Sequence, residues 1–131
     1  MRALAASARV GYLGTVAANG TPHVVPVCFA LLCDVAYSSV DHKPKRSPHL
    51  RRIANVRATG RACLLVDEYD DDWSRLWWVR LDGHGRIVED SREEAAALTA
   101  LAQKYPQYTK HPPNGPVLAV EVTRLSGWAA T

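Results

Sequence analysis

An Asn19-Gly20 pair between two β-rich runs constrains the fold of this chain more than any other feature of its sequence. The runs are VGYLGTV, residues 10–16, and HVVPVCFAL, residues 23–31. Asn-Gly favours the type I′ turn, in which both central residues need positive φ, so we expect the runs to pair as an antiparallel hairpin. Pro26 interrupts the second run and cannot donate to a strand ladder. Its strand is therefore expected at a sheet edge, at a bulge or where the backbone turns away.

Most of the remaining chain also has the pattern of strands. Further β-rich runs are DVAYSSV, RACLLVDEY, RLWWVRLDGHGRIVED and VLAVEVTRLSGW, and the glycines of DGHG predict a turn or bulge. Parallel β-α-β units would need a helix after nearly every strand. We therefore predict a mainly β fold, an antiparallel β-barrel of six to seven strands with short helices. A length of 131 residues is typical of a single domain, residues 1–131.

Three segments have helical patterns. The first, RALAASAR, has helix-forming composition. The second is expected to begin with Ser47 as N-cap and Pro48 as first helical residue, and to end near Val56. Its apolar stripe is expected to consist of Leu50, Ile53 and Ala54. The third, SREEAAALTALAQK, is the clearest helix of the chain. Ser91 is expected to cap it, with Glu94 completing a capping box.

The sequence lacks the motifs of several common functions. It has no GxGxxG after a strand, no P-loop, no GxSxG and no zinc-type spacing among its five histidines. Cys28, Cys33 and Cys63 are odd in number and lie in apolar runs, which predicts buried thiols in a cytoplasmic protein. No apolar run approaches the ~18 residues that a membrane span needs. We therefore expect no metal and no membrane partner.

Charge is segregated along the chain. Residues 42–66 carry seven lysines and arginines and no carboxylate, whereas residues 67–72, DEYDDD, carry five carboxylates. Lys43, Lys45 and Arg46 follow an expected strand and precede an expected helix N-terminus, whose free N–H groups also favour anions. The basic segment therefore predicts either a phosphate site or a solvated loop.

Two adjacent tryptophans form the second unusual feature. Trp77 and Trp78 lie in a run with strand pattern, so their side chains are expected on opposite faces of the sheet. One would face the core and the other solvent, a ligand or a second subunit. A dimer interface and a stacking wall for a planar ring are both compatible with the outward tryptophan.

Three stretches in order resemble a known family. GYLGTVAANGTPHVVPVCFAL, AYSSVDHKPKRSPHLRRIANVRATGRACLLVDEY and WSRLWWVRLDGHGRIVED are similar to the pyridoxamine 5′-phosphate oxidase-like split β-barrel flavoproteins. Within them, HKPKR and DDDWSRLWWVRLDG resemble the branch described as probable coenzyme F420-dependent enzymes. The likeness covers about residues 5–128 and implies an FMN-binding split barrel fold.

The resemblance implies a homodimer with two cofactor clefts at the subunit interface. The residues of this chain at the matching cofactor positions are Val25, Pro26, Val27, Ser38, Ser39, Lys43, Lys45, Arg46, Trp77, Trp78 and Arg80. The Val-Pro-Val element would line the pyrimidine side of the ring, and the serines would approach the ribityl chain. The lysines and Arg46 would grip the phosphate, while the tryptophans and Arg80 would reach the site of the other subunit. His23 is a weaker match for the ring edge.

The implied activity is that of an F420-dependent oxidoreductase, in which hydride passes from the reduced deazaflavin to a small, largely apolar acceptor. The protein would orient both molecules and exclude water. No catalytic residue is assigned, and the proton donor stays open between Arg80, Tyr69 and water. One alternative is an FMN-binding, pyridoxamine 5′-phosphate oxidase-like oxidoreductase; another is a flavin- or deazaflavin-binding protein without turnover. A nucleic-acid module on the basic helix is a third, and we expect no nucleic-acid partner.

Overall fold

The computed structural model describes residues 1–40 and 49–131 of the chain. Its strands are β1 (Gly11–Val16), β2 (Pro22–Val27), β3 (Ala30–Leu32), β4 (Val35–Ser39), β5 (Arg61–Glu68), β6 (Trp77–Ile87) and β7 (Val117–Ala129). Its helices are α1 (Arg2–Ser7), α2 (His49–Thr59), α3 (Ser91–Lys104) and α4 (Gln107–Lys110), with a single 3₁₀ turn at Trp73–Arg75. The expected N-cap Ser47, the expected first helical residue Pro48 and the basic residues Lys43, Lys45 and Arg46 lie outside the described residues.

The seven strands form one antiparallel sheet in the order β2-β1-β5-β6-β7-β4-β3. The predicted mainly β class and the split β-barrel are confirmed. The sheet curls around an apolar interior that includes Leu13, Phe29, Leu64, Leu81 and Leu118, each at most 2% exposed. Helices α1 and α2 bury apolar side chains in the same cluster and so complete the core.

The β1–β2 hairpin is confirmed, but its turn is not the expected type I′. The Gly20 N–H donates to the Ala17 carbonyl at 2.8 Å, and the Ala17 N–H donates to the Thr21 carbonyl at 2.9 Å. Within this loop only Gly20 has a positive φ, at +90°. The loop therefore has three residues and ends in a left-handed glycine. Asn19 acts through its side chain, because its Oδ1 accepts the Thr21 N–H at 3.0 Å.

A β-bulge bends the longest strand pair of the sheet, β6 and β7. The run RLWWVRLDGHGRIVED forms one strand, β6, whose register against β7 shifts between Asp82 and Gly83. A Cβ on Gly83 would lie 2.0 Å from the Glu121 carbonyl oxygen, so the close approach of the two backbones requires glycine here. The expected bulge glycine is confirmed.

Helix α2 ends later than expected, and its predicted apolar stripe is confirmed at Ile53 but not at Ala54. It continues to Thr59, and the Gly60 N–H then donates to the Val56 carbonyl at 2.9 Å. Gly60 has φ of +67°, the left-handed conformation that commonly follows a helix. Ala54 is exposed, whereas Ile53 and Val56 are buried. The expectation for Ala54 is wrong because the buried side of α2 includes the polar Asn55, which sequence patterning does not place in a core.

The N-cap of helix α3 lies one residue earlier than expected. Asp90, not Ser91, is the N-cap, and its side chain accepts the Glu93 N–H at 3.2 Å. Asp and Ser are both favoured N-cap residues, so the sequence alone does not decide between Asp90 and Ser91. The local backbone geometry decides it. The expected capping box of Ser91 and Glu94 is therefore wrong. The range of α3 is confirmed, with Ala97 and Leu101 fully buried.

A polar network fastens α3 to the outer side of the sheet. Arg86 of β6 donates two hydrogen bonds to the Glu93 carboxylate, at 2.9 and 2.6 Å, and one to Glu121 of β7. The Tyr37 hydroxyl of β4 donates to the same Glu93 at 2.6 Å. These contacts lower the pKa of Glu93 to about 2, chiefly through hydrogen bonds from Arg86 and then Tyr37. The network joins three strands and one helix.

The expectation of three buried thiols is wrong for Cys33. Cys33 is exposed and has φ of 52°, because it lies in the two-residue turn between β3 and β4. Cys28 and Cys63 are only partly buried. The three thiols are free. None of the helices in the described part of the chain is long and apolar enough to cross a membrane.

Candidate functional site

A small pocket lies in the interior of the barrel, between Leu13, Val27, Phe29, Ser38 and Leu64 among others, and has a volume of about 10 Å³. That volume is close to what a single water molecule occupies. This pocket is therefore too small for a ring system.

The outer side of the sheet divides into a covered and an uncovered half. Tyr37, Val117 and Ala119 lie beneath α3, where they pack with its residue Ala97. The other half, formed by β2, β1, β5 and the first parts of the β6–β7 pair, has no described helix over it. We call this half the bare face; its residues are Tyr12, Val24, Pro26, Leu65, Trp78, Arg80 and Trp128.

The bare face is unusually apolar for a solvent surface. Val24 is 65% exposed and Trp128 is 51% exposed, while Tyr12 and Leu65 are 38% and 37% exposed. Val24, Tyr12 and Leu65 belong to the adjoining strands β2, β1 and β5, and Trp128 of β7 follows across β6, where it pairs with Trp78. These residues therefore lie on one stretch of the sheet surface. Large contiguous apolar patches of this kind mark binding or association surfaces.

The structure places three of the residues predicted for the site on one face of the sheet, without bringing Pro26 into contact with the other two. Pro26, Trp78 and Arg80 all project from the bare face, because each pairs in register with outward residues of neighbouring strands. Trp77 packs partly buried against the interior, so the two tryptophans face opposite sides as expected. Val25 packs against the interior core in the same way.

The free side of β2 borders the bare face. β2 is the first strand of the sheet and pairs only with β1 among the described strands. Pro26 is thus at a sheet edge, one of the three positions expected for it. The backbone groups of β2 that point away from β1 can therefore hydrogen-bond a ligand. Buried Val27 lies at the end of this strand.

Ser38 and Ser39 are both buried but face opposite sides of β4. Ser38 lines the small interior cavity. Ser39 pairs with Val117, on the side covered by α3, and within the described chain its buried Oγ has no hydrogen-bond partner. Ser39 lies one residue before Val40, where the described chain stops ahead of the basic segment. A buried hydroxyl with no partner is costly, so this position is suited to a polar group from elsewhere.

His23 lies in a positive environment. Its Nδ1 is buried and has no partner among the described residues. Burial lowers the pKa of His23, and the charges of Arg51 and Arg52 lower it further. The two arginines belong to α2, which is remote from His23 in sequence, so no local pattern could have indicated this relationship. The surroundings of His23 therefore favour anions.

Arg80 is held in place on the bare face by two contacts. Its Nε donates to Asp82 at 3.2 Å, and its guanidinium lies 6.0 Å from the centre of the Trp78 ring. A planar guanidinium beside an indole can contact both an anion and an aromatic face. Sequence reasoning identified Arg80 and Trp78 but missed Tyr12, Val24, Leu65 and Trp128, whose only signal was outward placement of apolar residues.

Comparison with known proteins places the chain in a family. The family model for pyridoxamine 5′-phosphate oxidase matches residues 1–129. No curated protein matches the chain in sequence.

Several solved structures have the same fold. A conserved hypothetical protein from Mycobacterium tuberculosis superposes with a TM-score of 0.75 at 18% identity, covering 96% of this chain and 80% of that one. A FAD-binding protein from Mesorhizobium loti gives 0.69 at 20% identity, with 96% and 91% coverage. A heme-binding protein from Mycobacterium smegmatis gives 0.73 at 22% identity, covering 98% of this chain and 56% of that one. At these identities the likeness establishes the fold.

Proposed function

The chain belongs to the pyridoxamine 5′-phosphate oxidase family, and we propose that it is a deazaflavin-dependent oxidoreductase that uses coenzyme F420. The observation that carries this proposal is the position of Pro26. It lies on the edge of β2 that no described strand pairs with and borders an exposed apolar face, while the small interior pocket beside Val27 is too small for a ring. A tricyclic ring along this edge would cover apolar surface and reach unpaired backbone groups.

The residues present fit such a cofactor. The polar edge of its pyrimidine ring can pair with backbone groups on the side of β2 that faces away from β1, although Pro26 itself has no N–H to donate. The buried, unpartnered Oγ of Ser39 suits a ribityl hydroxyl. Lys43, Lys45 and Arg46, which lie outside the described residues, are proposed to hold the phosphate. The positive field at His23 from the arginines of α2 supports an anion in this region.

We propose further that two copies of the chain pair through the bare face. Within one chain, Tyr12 and Leu65 lie between Pro26 and Arg80. The distance from Pro26 to Arg80 is therefore three strand-to-strand spacings, or about 14 Å. Arg80 and Trp78 therefore reach a ring at the Pro26 edge only when they come from a second copy. A standard interface covers about 800 Å² per partner, about a tenth of the 7873 Å² surface of this chain.

The bound cofactor would supply the hydride, and the chain would supply position and surroundings. The apolar side chains of the bare face would exclude water from the reacting atoms. Arg80 would orient an acceptor through its guanidinium, since Asp82 and Trp78 fix its direction. The choice of proton donor stays open between Arg80, Tyr69 and water.

Fluorescence titration of the purified protein with F420, and in parallel with FMN, tests the proposal. Each charge-assisted phosphate contact contributes about 1.5–3 kcal/mol, so Lys45→Ala and Arg46→Ala should each weaken F420 binding about tenfold or more. Lys110→Ala and Arg92→Ala, exposed cations on α4 and α3, are the matched controls. Affinity within a factor of two of wild type for both site variants would reject the phosphate site.

The same titration separates the alternatives. Tighter binding of FMN than of F420 would favour the FMN-dependent oxidoreductase. Tight binding of F420 without oxidation of its reduced form by any of a panel of enones and quinones would favour a binding protein without turnover.

A further inference from the structure

Two cationic side chains lie against one aromatic ring where α3 ends. Lys104 is the last residue of α3, and its Nζ lies 3.7 Å from the centre of the Phe29 ring and 5.4 Å from that of the Tyr105 ring. The Arg9 guanidinium lies 4.9 Å from the centre of the Tyr105 ring, and one of its N–H groups donates to the Lys104 carbonyl at 2.8 Å. The two cations are therefore neighbours, although they are distant in sequence.

The Lys104 amine lacks the partners that a buried cation requires. Its Nζ is buried and has no hydrogen-bond partner among the described residues. In the same part of the chain, no carboxylate forms an ion pair with Lys104 or Arg9. The aromatic rings offset part of the cost of burying an ammonium group, but the neighbouring guanidinium repels it. A neutral amine, or a product with negative charge, suits this position better than the ammonium form.

These surroundings keep a substantial fraction of the amine neutral near neutral pH. Burial, and then the charge of Arg9, lower the pKa of Lys104 to about 8, against an opposite effect of Cys28. In the described part of the chain, the titratable groups that face the amine are Arg9, Cys28 and, through its ring, Tyr105. About a quarter of the amine is then neutral at about pH 7.5, compared with about one part in a thousand for an exposed lysine. The neutral amine is the form that attacks an electrophilic carbon.

We propose that Lys104 is a site of reversible carboxylation by carbon dioxide, with Arg9 as the cation that holds the product. The lone pair of Nζ forms a bond to the carbon of CO₂, and one C–O π pair moves onto oxygen. The nitrogen then releases one proton to solvent. One neutral amine and one CO₂ thus give one carbamate anion and one proton, and nothing is oxidised or reduced.

The chemistry of the position favours this ligand. CO₂ is small and uncharged, so it reaches a buried amine more readily than a bulky acyl donor does. The product replaces the repulsion between Lys104 and Arg9 by attraction, because a guanidinium can donate two parallel hydrogen bonds to a carboxylate group. Lys104 ends α3 and Arg9 precedes β1, so the new ion pair would join these two segments. This modification does not depend on the proposed function.

Labelled CO₂ tests the proposal on the wild-type chain. Carbon-13 NMR under a fixed pressure of ¹³CO₂ detects the carbamate, and alkylation of the carbamate followed by peptide mass spectrometry locates it. We expect modification of Lys104 that increases with pH, because the amine must be neutral and a proton is released. Lys110, an exposed lysine on α4, is the matched control within the same molecule. An unmodified Lys104 at saturating CO₂, or equal modification of Lys104 and Lys110, would overturn the proposal.

Two substitutions separate the nucleophile from its counter-ion. Lys104→Arg retains a positive charge without the amine and should abolish the carbamate at this position, whereas Lys110→Arg should not. Arg9→Gln should lower the modified fraction about threefold or more at fixed pH, since the product loses its cation. Arg92→Gln, which removes an exposed arginine of α3, is its control. An unchanged fraction in Arg9→Gln would refute the role of Arg9.

A thermal measurement provides a second readout. CO₂ that reacts with the folded chain should raise the melting temperature of wild type and Lys110→Arg but not that of Lys104→Arg. The same melts show whether each variant folds, and the location of the carbamate in wild type does not depend on any variant. Equal shifts in the three proteins would contradict stabilisation through Lys104.

Discussion

Pro26 on β2 and Arg80 on β6 lie in one cross-strand row of the sheet, with Tyr12 and Leu65 between them. The row links an unpaired strand edge to a fixed guanidinium across an apolar surface. Among the described residues, this outer row offers both exposed apolar area and the backbone groups of a strand edge. The proposed function and the proposed pairing both depend on it.

Val24→Asp tests the role of the bare face in pairing. Val24 is 65% exposed, so an aspartate there is solvated in the monomer and should leave its folding intact. Burial of that carboxylate in an interface would be costly, and we expect the dimer to weaken at least tenfold in analytical ultracentrifugation. Ala96→Asp, an exposed site on α3, is the matched control. Equal dimer affinities for the two variants would exclude Val24 from the interface.

Glu93→Gln tests the network that fastens α3. Loss of the ionised acceptor should lower the free energy of unfolding at neutral pH by about 1–3 kcal/mol, since Arg86 and Tyr37 lose a charged partner. Glu94→Gln, at the position after Glu93, is the control and should lower the free energy of unfolding by less than about 0.5 kcal/mol. Chemical denaturation measures both. Similar losses for the two variants would contradict a special role for Glu93.

The same network predicts the acid dependence of stability. The pKa of Glu93 is lowered to about 2 in the folded chain from an ordinary value of 4.5. A lowered carboxyl pKa contributes stability that is complete above the unfolded value and is lost as pH falls toward the folded value. The difference in unfolding free energy between wild type and Glu93→Gln should therefore shrink from pH 4.5 to pH 2. A difference that stays constant over this interval would show that Glu93 does not titrate in this way.

Tyr105→Phe tests a buried hydroxyl that joins distant segments. The Tyr105 hydroxyl accepts the Phe29 N–H at 3.1 Å and lies 3.1 Å from the carbonyl oxygens of Arg9 and Phe29. Its removal leaves a buried N–H without its acceptor, which should cost about 1–3 kcal/mol of unfolding free energy. Tyr69→Phe removes an exposed hydroxyl and should cost less than about 0.5 kcal/mol in the same denaturation measurement. Equal costs would refute the assignment.

Gly83→Ala tests the close contact at the β6 bulge. The added methyl would meet the Glu121 backbone oxygen at 2.0 Å, and backbone cannot rotate away as a side chain can. We expect a loss of about 2–4 kcal/mol in unfolding free energy. Gly14→Ala is the comparison, because its nearest neighbour is the Cys63 Sγ at 3.2 Å, a side-chain atom that can shift. A loss at Gly83 no larger than that at Gly14 would contradict the register of β6 and β7.

Local signals predicted the elements of this fold well. The β-rich runs, the hairpin, the edge position of Pro26 and the helix over residues 91–104 all depend on neighbouring residues. Errors arose where tertiary contacts decide the outcome. The buried side of α2 includes Asn55, which has a partner in the core because its Nδ2 donates to the Thr15 Oγ1 at 3.0 Å. Patterning of apolar residues cannot predict such a pair.

The candidate site was predictable only in part. Adjacent tryptophans must face opposite sides of a strand, so the outward position of one of them followed from period-two geometry. Which one faces outward depends on the register of β6 with β5, where Trp78 pairs with Asp67. The contribution of Val24 and Trp128 depends on a sheet order in which strands distant in sequence become neighbours. The effect of the α2 arginines on the pKa of His23 likewise depends on segments that are distant in sequence and become neighbours in the fold.

A crystal structure of the protein with F420 bound would locate the ring relative to β2. We expect the ring along the free edge of β2 at Pro26, with Trp78 and Arg80 of a second copy against it and the phosphate beside the basic segment. A ring bound away from this edge, or held by residues of one chain alone, would contradict it.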